Sequence, residues 1–244
     1  MIFVAVSTQQ KMDEFHQAGF ARAIAGLLFS CALAFLRQQH DAYQLWVVRA
    51  DGTQPKMVAP SLSFVGYART PYGWMEPPVF SWTPDGQRLL YVSVKNGVSN
   101  LMSCVVDGSD EKLLTSNTET TLKFYSPLLS ANSQRLAFLG CQDSAGQVRY
   151  QIYSHDGLQP QLLWETDEQV RLLGWSAAQT DLYAAVIKSF RAVDPVTVKL
   201  MRISSDVIGS EPHAREAMQF EHAYWQTFSL SPTANQLEIG RAHV

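Results

Sequence analysis

The stretch Phe80 to Val94, FSWTPDGQRLLYVSV, recurs along the chain. Related text stands at Leu129 to Gly140, LSANSQRLAFLG, at Gly174 to Val186, GWSAAQTDLYAAV, and in part at Ser229 to Leu237, SLSPTANQL. In each copy a turn-forming tetrad follows an aromatic or apolar run. A Leu then stands five residues after the Pro or the Ala in its place: Pro84 to Leu89, Ala131 to Leu136, Ala177 to Leu182, Pro232 to Leu237. A constant offset of this kind means that the chain is built from like units, which the fold has to place alike.

The copies extend downstream. LLYVSV is followed by NGVSNLMSCVVDGSDEKLLT, LAFLG by QDSAGQVRYQIYSHDGLQPQLLW, and near the start LAFLRQQ by HDAYQLWVVRADGTQPKMV. Each reads as strand, loop, strand, Asp-Gly turn and short strand, because alternating apolar residues such as Leu45 and Val47 are punctuated by residues that tolerate positive φ. Three pairs, Asp51-Gly52, Asp107-Gly108 and Asp156-Gly157, share one phase. The anchoring leucines Leu33, Leu89, Leu136, Leu182 and Leu237 lie 56, 47, 46 and 55 residues apart. A period of about 45–50 residues with four short strands predicts the blade of a β-propeller, whose twisted sheet buries both faces only when neighbours pack on it. The expected fold class is all-β, a β-propeller of four-stranded antiparallel blades with about four blades and a partial one. Pro84, Asp85 and Gly86 then turn between the first and second strands of a blade, and the Asp-Gly pairs between the third and fourth.

A composition with 46% apolar and 17% charged residues predicts a folded chain. The net charge of −3, with scattered Lys and Arg, gives no basic stripe and argues against nucleic acid as a partner. Cys31, Cys104 and Cys141 are too far apart for a zinc motif. Two small buried thiols on strands are the preferred reading of Cys104 and Cys141, with a disulfide between them as the alternative.

Ala23 to Leu36, AIAGLLFSCALAFL, follows Arg22 and has the length of a secretory signal core, with Ala32-Leu33-Ala34 as a small-x-small cleavage site. Leu28-Phe29-Ser30-Cys31 resembles a bacterial lipoprotein signal and would tie the N-terminus to a membrane. Residues 1–32 are accordingly read as a signal-like or anchor-like segment. The competing reading makes the end of this run, LAFLRQQ, a buried strand.

Two stretches interrupt the repeat. Ala59 to Pro78, APSLSFVGYARTPYGWMEPP, lengthens the first interval, and its Tyr67, Tyr72 and Trp74 are the candidate binding residues, since aromatic anchors on a long loop dominate affinity. The opposing reading folds these aromatics onto the blade rim. Ser204 to Tyr224 is a second irregular piece, whose His213, Glu216 and His222 lack a recognised zinc pattern, so no metal and no cofactor are expected. Gly174-Trp175-Ser176-Ala177-Ala178 imitates a Gly-x-Ser-x-Gly elbow but lacks the last Gly, and Ser176 falls in phase with Thr83, Ser130 and Ser231 at the blade turn. No catalytic set is expected.

The pattern FSWTPDGQRLLYVS…NLMSCVVDGSDEKLLT resembles the WD-like propeller repeat of the TolB family, shared by the propellers of prolyl oligopeptidase and dipeptidyl peptidase relatives. The resemblance covers about Leu33 to Leu237. It implies a non-catalytic protein-binding module, with a protein partner, in the periplasm or cell envelope of a bacterium. The alternatives are a cytoplasmic location, the N-terminal gating propeller of a prolyl-oligopeptidase-like serine peptidase whose catalytic domain follows, or the sensor of a membrane-anchored regulator. The last residues, EIGRAHV, resemble a translated library adapter, so 33–237 is expected to be the propeller, 238–244 a non-native tail, and the ring incomplete.

Overall fold

The computed structural model describes residues 32–39, 42–49, 51–62, 80–155, 159–187, 196–205, 214–222, 228–230 and 237–239. Their regular elements are all strands, arranged as five antiparallel sheets in chain order. The first sheet holds β1 (Ala32–Gln39), β2 (Ala42–Arg49) and β3 (Lys56–Ala59); the second β4 (Ser81–Trp82), β5 (Arg88–Lys95), β6 (Val98–Val105) and β7 (Lys112–Leu113). The third comprises β8 (Leu122–Leu129), β9 (Leu136–Ser144), β10 (Gln147–His155) and β11 (Pro160–Thr166), and the fourth β12 (Gln169–Trp175), β13 (Asp181–Ile187), β14 (Val196–Ser204) and β15 (Ala214–His222). A fifth has β16 (Phe228–Leu230) and β17 (Leu237–Ile239). Every strand pairs with its sequence neighbour, as the repeat requires.

Side-chain alternation sends successive residues of each second strand to opposite neighbours. On β5, Leu89 and Tyr91 pack into a core shared with the first sheet, whereas Leu90 and Val92 pack into a core shared with the third. On β9, Leu136 and Phe138 face the second sheet, and Ala137, Leu139 and Cys141 face the fourth. Leu182, Ala184 and Val186 of β13 join that last core. The cores therefore lie between sheets, and each fully buried Leu or Phe contributes about 1.5–3 kcal/mol. Polar clamps cross the same seams at the inner strands: Ser81 Oγ donates to Pro127 O (2.5 Å), and Trp175 Nε1 to Leu128 O (3.2 Å).

Three of the outer strands, β3, β11 and β15, share a feature that no sequence signal announces. Val58, Leu163 and Ala217 are each an extra residue bulged out of register against Leu45/Trp46, Ile152/Tyr153 and Leu200/Met201. These three pairs are equivalent through the anchoring leucines. The bulge shortens and twists an edge that would otherwise template further pairing.

Several expectations change. Ala214–His222, read as part of an irregular piece, is the nine-residue outer strand β15, and its bulge exchanges the faces of Glu216 and Met218, which hides the alternation. Glu216 pairs with Lys199 at 3.6 Å, while His213 lies outside the described residues. Cys104 and Cys141 are both free and buried in different seams, which excludes the disulfide between them. The end of the signal-like run, Ala32–Leu36, lies in β1, with Ala34 and Leu36 in the first seam, so LAFLRQQ is a strand and the small-x-small site falls within it. Glu238 and Ile239 pair with Ser229 and Phe228 in β17.

Gly140 shows how tightly a seam is filled. A Cβ at this position would stand 2.8 Å from Cε2 of Tyr153, whose ring stacks on Phe138 with centroids 5.2 Å apart. Gly140→Ala is expected to destabilise the fold by about 1–3 kcal/mol through overpacking. A urea midpoint lowered with unchanged slope would register the loss.

Candidate binding face

Antiparallel order puts the first-to-second and third-to-fourth turns of every sheet at one end, here the turn face. The second-to-third turns and the connections between sheets lie at the other end, the connection face. The two faces use their side chains differently.

On the turn face the tetrads are near copies. Thr83, Ser130 and Ser176 each donate their backbone N–H to the carbonyl five residues on, at Arg88, Arg135 and Asp181 (2.9, 2.8 and 2.8 Å). Their hydroxyl oxygens accept the N–H of those same residues at 2.9, 2.9 and 3.1 Å. Ser176 is thus held as a turn residue. Asp85 Oδ1 accepts from the Thr83 hydroxyl (2.5 Å) and from Gln87 N–H (3.0 Å), and Asn132 Oδ1 does the same with Ser130 (2.7 Å) and Gln134 (3.1 Å). Gly86, Ser133 and Gln179 occupy one left-handed position, with φ of 70°, 60° and 60°. Ala178 has no polar group for the third turn, and Gln179 compensates: its Nε2 donates to Ser176 O (2.9 Å) and its Oε1 accepts Ala131 N–H (2.8 Å).

The Asp-Gly turns repeat in the same way. Gly52 and Gly108, at φ of 79° and 78°, donate to Arg49 O (2.8 Å) and Val105 O (2.7 Å). Asp51 and Asp107 accept the N–H of Thr53 (2.9 Å) and Ser109 (2.8 Å). Asp156-Gly157 lies outside the described residues. Beside these turns Arg88 donates to Ser103 Oγ (2.8 Å) and to Asp110 Oδ2 (2.7 Å). In the fourth sheet the charges are exchanged, and Asp181, at the position of Arg88, accepts from Arg202 (2.8 Å). The tetrad and Asp-Gly side chains of this face hold backbone, and its charged side chains pair with one another.

The connection face varies from sheet to sheet. Residues 167–168 alone join the third sheet to the fourth, residues 114–121 the second to the third, and residues 60–80 the first to the second. The middle connection is fixed by Asn100, which accepts from Thr115 Oγ1 (2.9 Å) and Asn117 N–H (2.7 Å) and donates to Asn117 O (3.0 Å). Lys123 Nζ caps the nearby Gly97 carbonyl. The long connection leaves from a fixed root: Leu62 N–H donates to Tyr43 O (2.9 Å), Val94 N–H to Ser61 O (3.4 Å), and Leu62 bridges Ser93 antiparallel. Leu62 is buried in the first seam, and Phe80 packs on the same cluster where the connection returns. Tyr67, Tyr72 and Trp74 lie between these two points, outside the described residues.

Among the described residues, burial produces the largest shifts of titrating groups. Burial pushes the thiol of Cys104 up to about 11 and that of Cys141 up to about 12. Burial also raises the Tyr91 hydroxyl, which donates to Glu111 Oε1 (2.6 Å). Among the described residues no group of three or more His, Cys, Asp or Glu is placed to hold a metal ion, and no helix is long and apolar enough to cross a membrane.

Asp85 is held below its ordinary 3.8 by the Thr83 hydroxyl and then by Gln87 N–H. A lowered carboxyl stabilises the fold above its unfolded value and loses that contribution as pH falls from 3.8 through the lowered folded value. Because Asn132 performs the same task uncharged, Asp85→Asn is expected to keep the neutral-pH urea midpoint and flatten its fall below pH about 4, whereas Asp85→Ala lowers it at both pH values. For the thiols, a disulfide reagent at pH about 8 is expected to label neither Cys104 nor Cys141 until denaturant unfolds the chain.

No protein-family model matches the sequence, and no curated protein matches it at a significant level. Solved structures do match. TolB from Acinetobacter baumannii aligns with a TM-score of 0.53 at 16% identity over 94% of this chain and 52% of its own. A TolB candidate from Agrobacterium tumefaciens aligns at 0.50 and 14% over 77% of this chain and 61% of its own, and an oligogalacturonate lyase in complex with manganese at 0.51 and 12% over 80% and 51%. The chain thus spans a little over half the length of the TolB structures it matches. One of these neighbours is an enzyme, so the shared scaffold separates no activity from another. Repeat, sheet order and neighbours agree on the fold: this chain is built as a TolB-like β-propeller.

Proposed function

We propose that the chain is a non-catalytic protein-binding module of the TolB-like propeller type, working in the bacterial cell envelope. One observation carries this reading: the turn face commits its polar side chains to repeated backbone hydrogen bonds, while the connection face changes from sheet to sheet and roots a long aromatic insertion in a packed seam. A rigid scaffold that varies in its loops at one end is how binding surfaces are presented. Tyr67, Tyr72 and Trp74 supply the anchors, with little conformational entropy lost per aromatic ring on binding. The resemblance to TolB supports a protein as the partner and the envelope as the place. The propeller repeats form the module, and the segment that precedes β1 addresses it.

The test compares the full chain with the variant Tyr67→Ala/Tyr72→Ala/Trp74→Ala as bait in envelope extract. At least one protein is expected to be retained by the parent and reduced about tenfold or more on the variant, with equal urea midpoints for the two baits. Identical retention overturns the role of the insertion. Alkaline phosphatase fused after Gln39 is expected to be active in the periplasm, and its inactivity would remove the envelope assignment.

A further inference from the structure

Asn96-Gly97 is the one Asn-Gly pair in the sequence, and it forms the two-residue turn that joins β5 to β6 at the connection face. Both residues are exposed and left-handed, with φ of 52° and 76°, as the type I′ turn of a tight hairpin requires. The turns of the opposite face are tied down. Gly52, Gly86, Gly108 and Ser133 donate their N–H to the carbonyl three residues back, at Arg49, Thr83, Val105 and Ser130 (2.8, 2.8, 2.7 and 2.9 Å). The residue before each of them, Asp51, Asp85, Asp107 or Asn132, has its Oδ1 occupied by a hydroxyl and an N–H of the same turn.

Asn96 differs because its turn is shorter. The hairpin closes through Lys95 and Val98, the last pair of the ladder, so Gly97 stands one place before the residue that donates the closing bond. Among the described residues, neither the Asn96 carboxamide nor the Gly97 N–H makes a hydrogen bond. Asn100 and Asn117, by contrast, have both ends of their carboxamides bound in the network that fixes residues 114–121. The equivalent turn of the third sheet, Ala145-Gly146, has φ of 54° and 84° but no carboxamide, and Gly146 N–H donates to Asp143 Oδ1 (3.1 Å). Two cations stand beside the free pair: Lys95 precedes it and is exposed, and Lys123 Nζ donates to Gly97 O.

We propose that Asn96 is a site of spontaneous deamidation, which changes the charge of the connection face without an enzyme. The Gly97 nitrogen gives up its proton to water or hydroxide and attacks Cγ of Asn96. The new N–Cγ bond closes a succinimide ring as the Cγ–Nδ2 bond breaks, and the leaving nitrogen takes up a proton and departs as ammonia. Water then opens the ring at either carbonyl to give Asp or isoaspartate, so the net change consumes one water and releases one ammonia. Glycine leaves the nitrogen unhindered, and Lys95 and Lys123 favour the anion that attacks. A rotation at Asn96 has to bring the nitrogen to Cγ, and no hydrogen bond of the carboxamide or of the Gly97 N–H opposes it. The Asp product keeps an Asp-Gly turn that suits the hairpin, whereas isoaspartate adds a carbon to the backbone of a turn with no length to spare. The site stands whether or not this face binds a protein.

The test keeps the full chain folded in mildly alkaline buffer and, in parallel, unfolded in guanidinium chloride. Each site is read by digestion and mass spectrometry with electron-transfer fragmentation, which separates Asp from isoaspartate. In the folded chain the acid form at Asn96 is expected to accumulate at least about tenfold faster than at Asn100, Asn117 or Asn132, each of which must first break hydrogen bonds. In denaturant, isoaspartate at Asp51, Asp85 and Asp107 is expected to form at least about tenfold faster than in the folded chain, since unfolding frees both the carboxylate and the next N–H. Asn96→Gln, whose longer side chain would have to close a larger ring, is expected to resist the change at an unchanged urea midpoint, because Gln54 and Gln179 already stand at positive φ in this chain. Conversion of Asn96 in denaturant but not in the folded chain overturns the proposal, because the turn would then protect it. Equal rates at Asn96 and Asn132 in the folded chain overturn it too, as does an equal rate in Asn96→Gln.

Discussion

A twisted sheet with apolar residues on both faces cannot be stable alone, and the architecture follows from that constraint. Leu89 and Tyr91 look one way from β5, Leu90 and Val92 the other, and neither pair is dry until a neighbouring sheet arrives. The folding unit is consequently the seam rather than the sheet. Each seam takes from one second strand the residues out of phase with its anchoring leucine and from the next second strand the residues in phase with it, so a one-residue slip in either strand would turn both cores toward the wrong partner. The tetrads suppress that slip: a hydroxyl at Thr83, Ser130 or Ser176 ties the start of each second strand to the end of the first.

Much of this is legible in the sequence because the tetrad and the Asp-Gly pair are local chemistry, decided by residues adjacent in the chain. The spacing of the leucines then gives the sheet order, since consecutive antiparallel strands need only short turns. What escapes sequence reading is long-range or compensatory. The bulges at Val58, Leu163 and Ala217 depend on how an outer strand meets the one beside it, and at Ala217 the bulge makes a regular strand look irregular. Gln179 is another case: nothing in SAAQT reveals that a glutamine side chain repairs a turn lacking its Asp or Asn and reaches the neighbouring turn as well. The candidate site divides similarly. Composition identifies the insertion and its aromatics, whereas its anchorage through Ser61 and Leu62 becomes visible only when β5 is beside it.

The two ends of the propeller have diverged under different physical pressures. A turn that spends hydroxyls and carboxylates on backbone groups tolerates only substitutions that keep the hydrogen bond, as Asn132 for Asp85 does. A connection between sheets has only to span a gap, and the spans here range from two residues to the full insertion. Sequence freedom is therefore concentrated at one end of a rigid body, which lets a new recognition surface arise without disturbing the seams.

Two neighbouring carbonyls in β8 have a mechanical consequence. Ser126, at φ of 50°, opens a bulge that places Pro127 O against Ser81 of the second sheet and Leu128 O against Trp175 of the fourth. The third sheet is thus latched from both sides through one kinked strand. Tension applied along the chain would peel the array from its ends toward this strand, and the segment around Pro127 would be the last to yield.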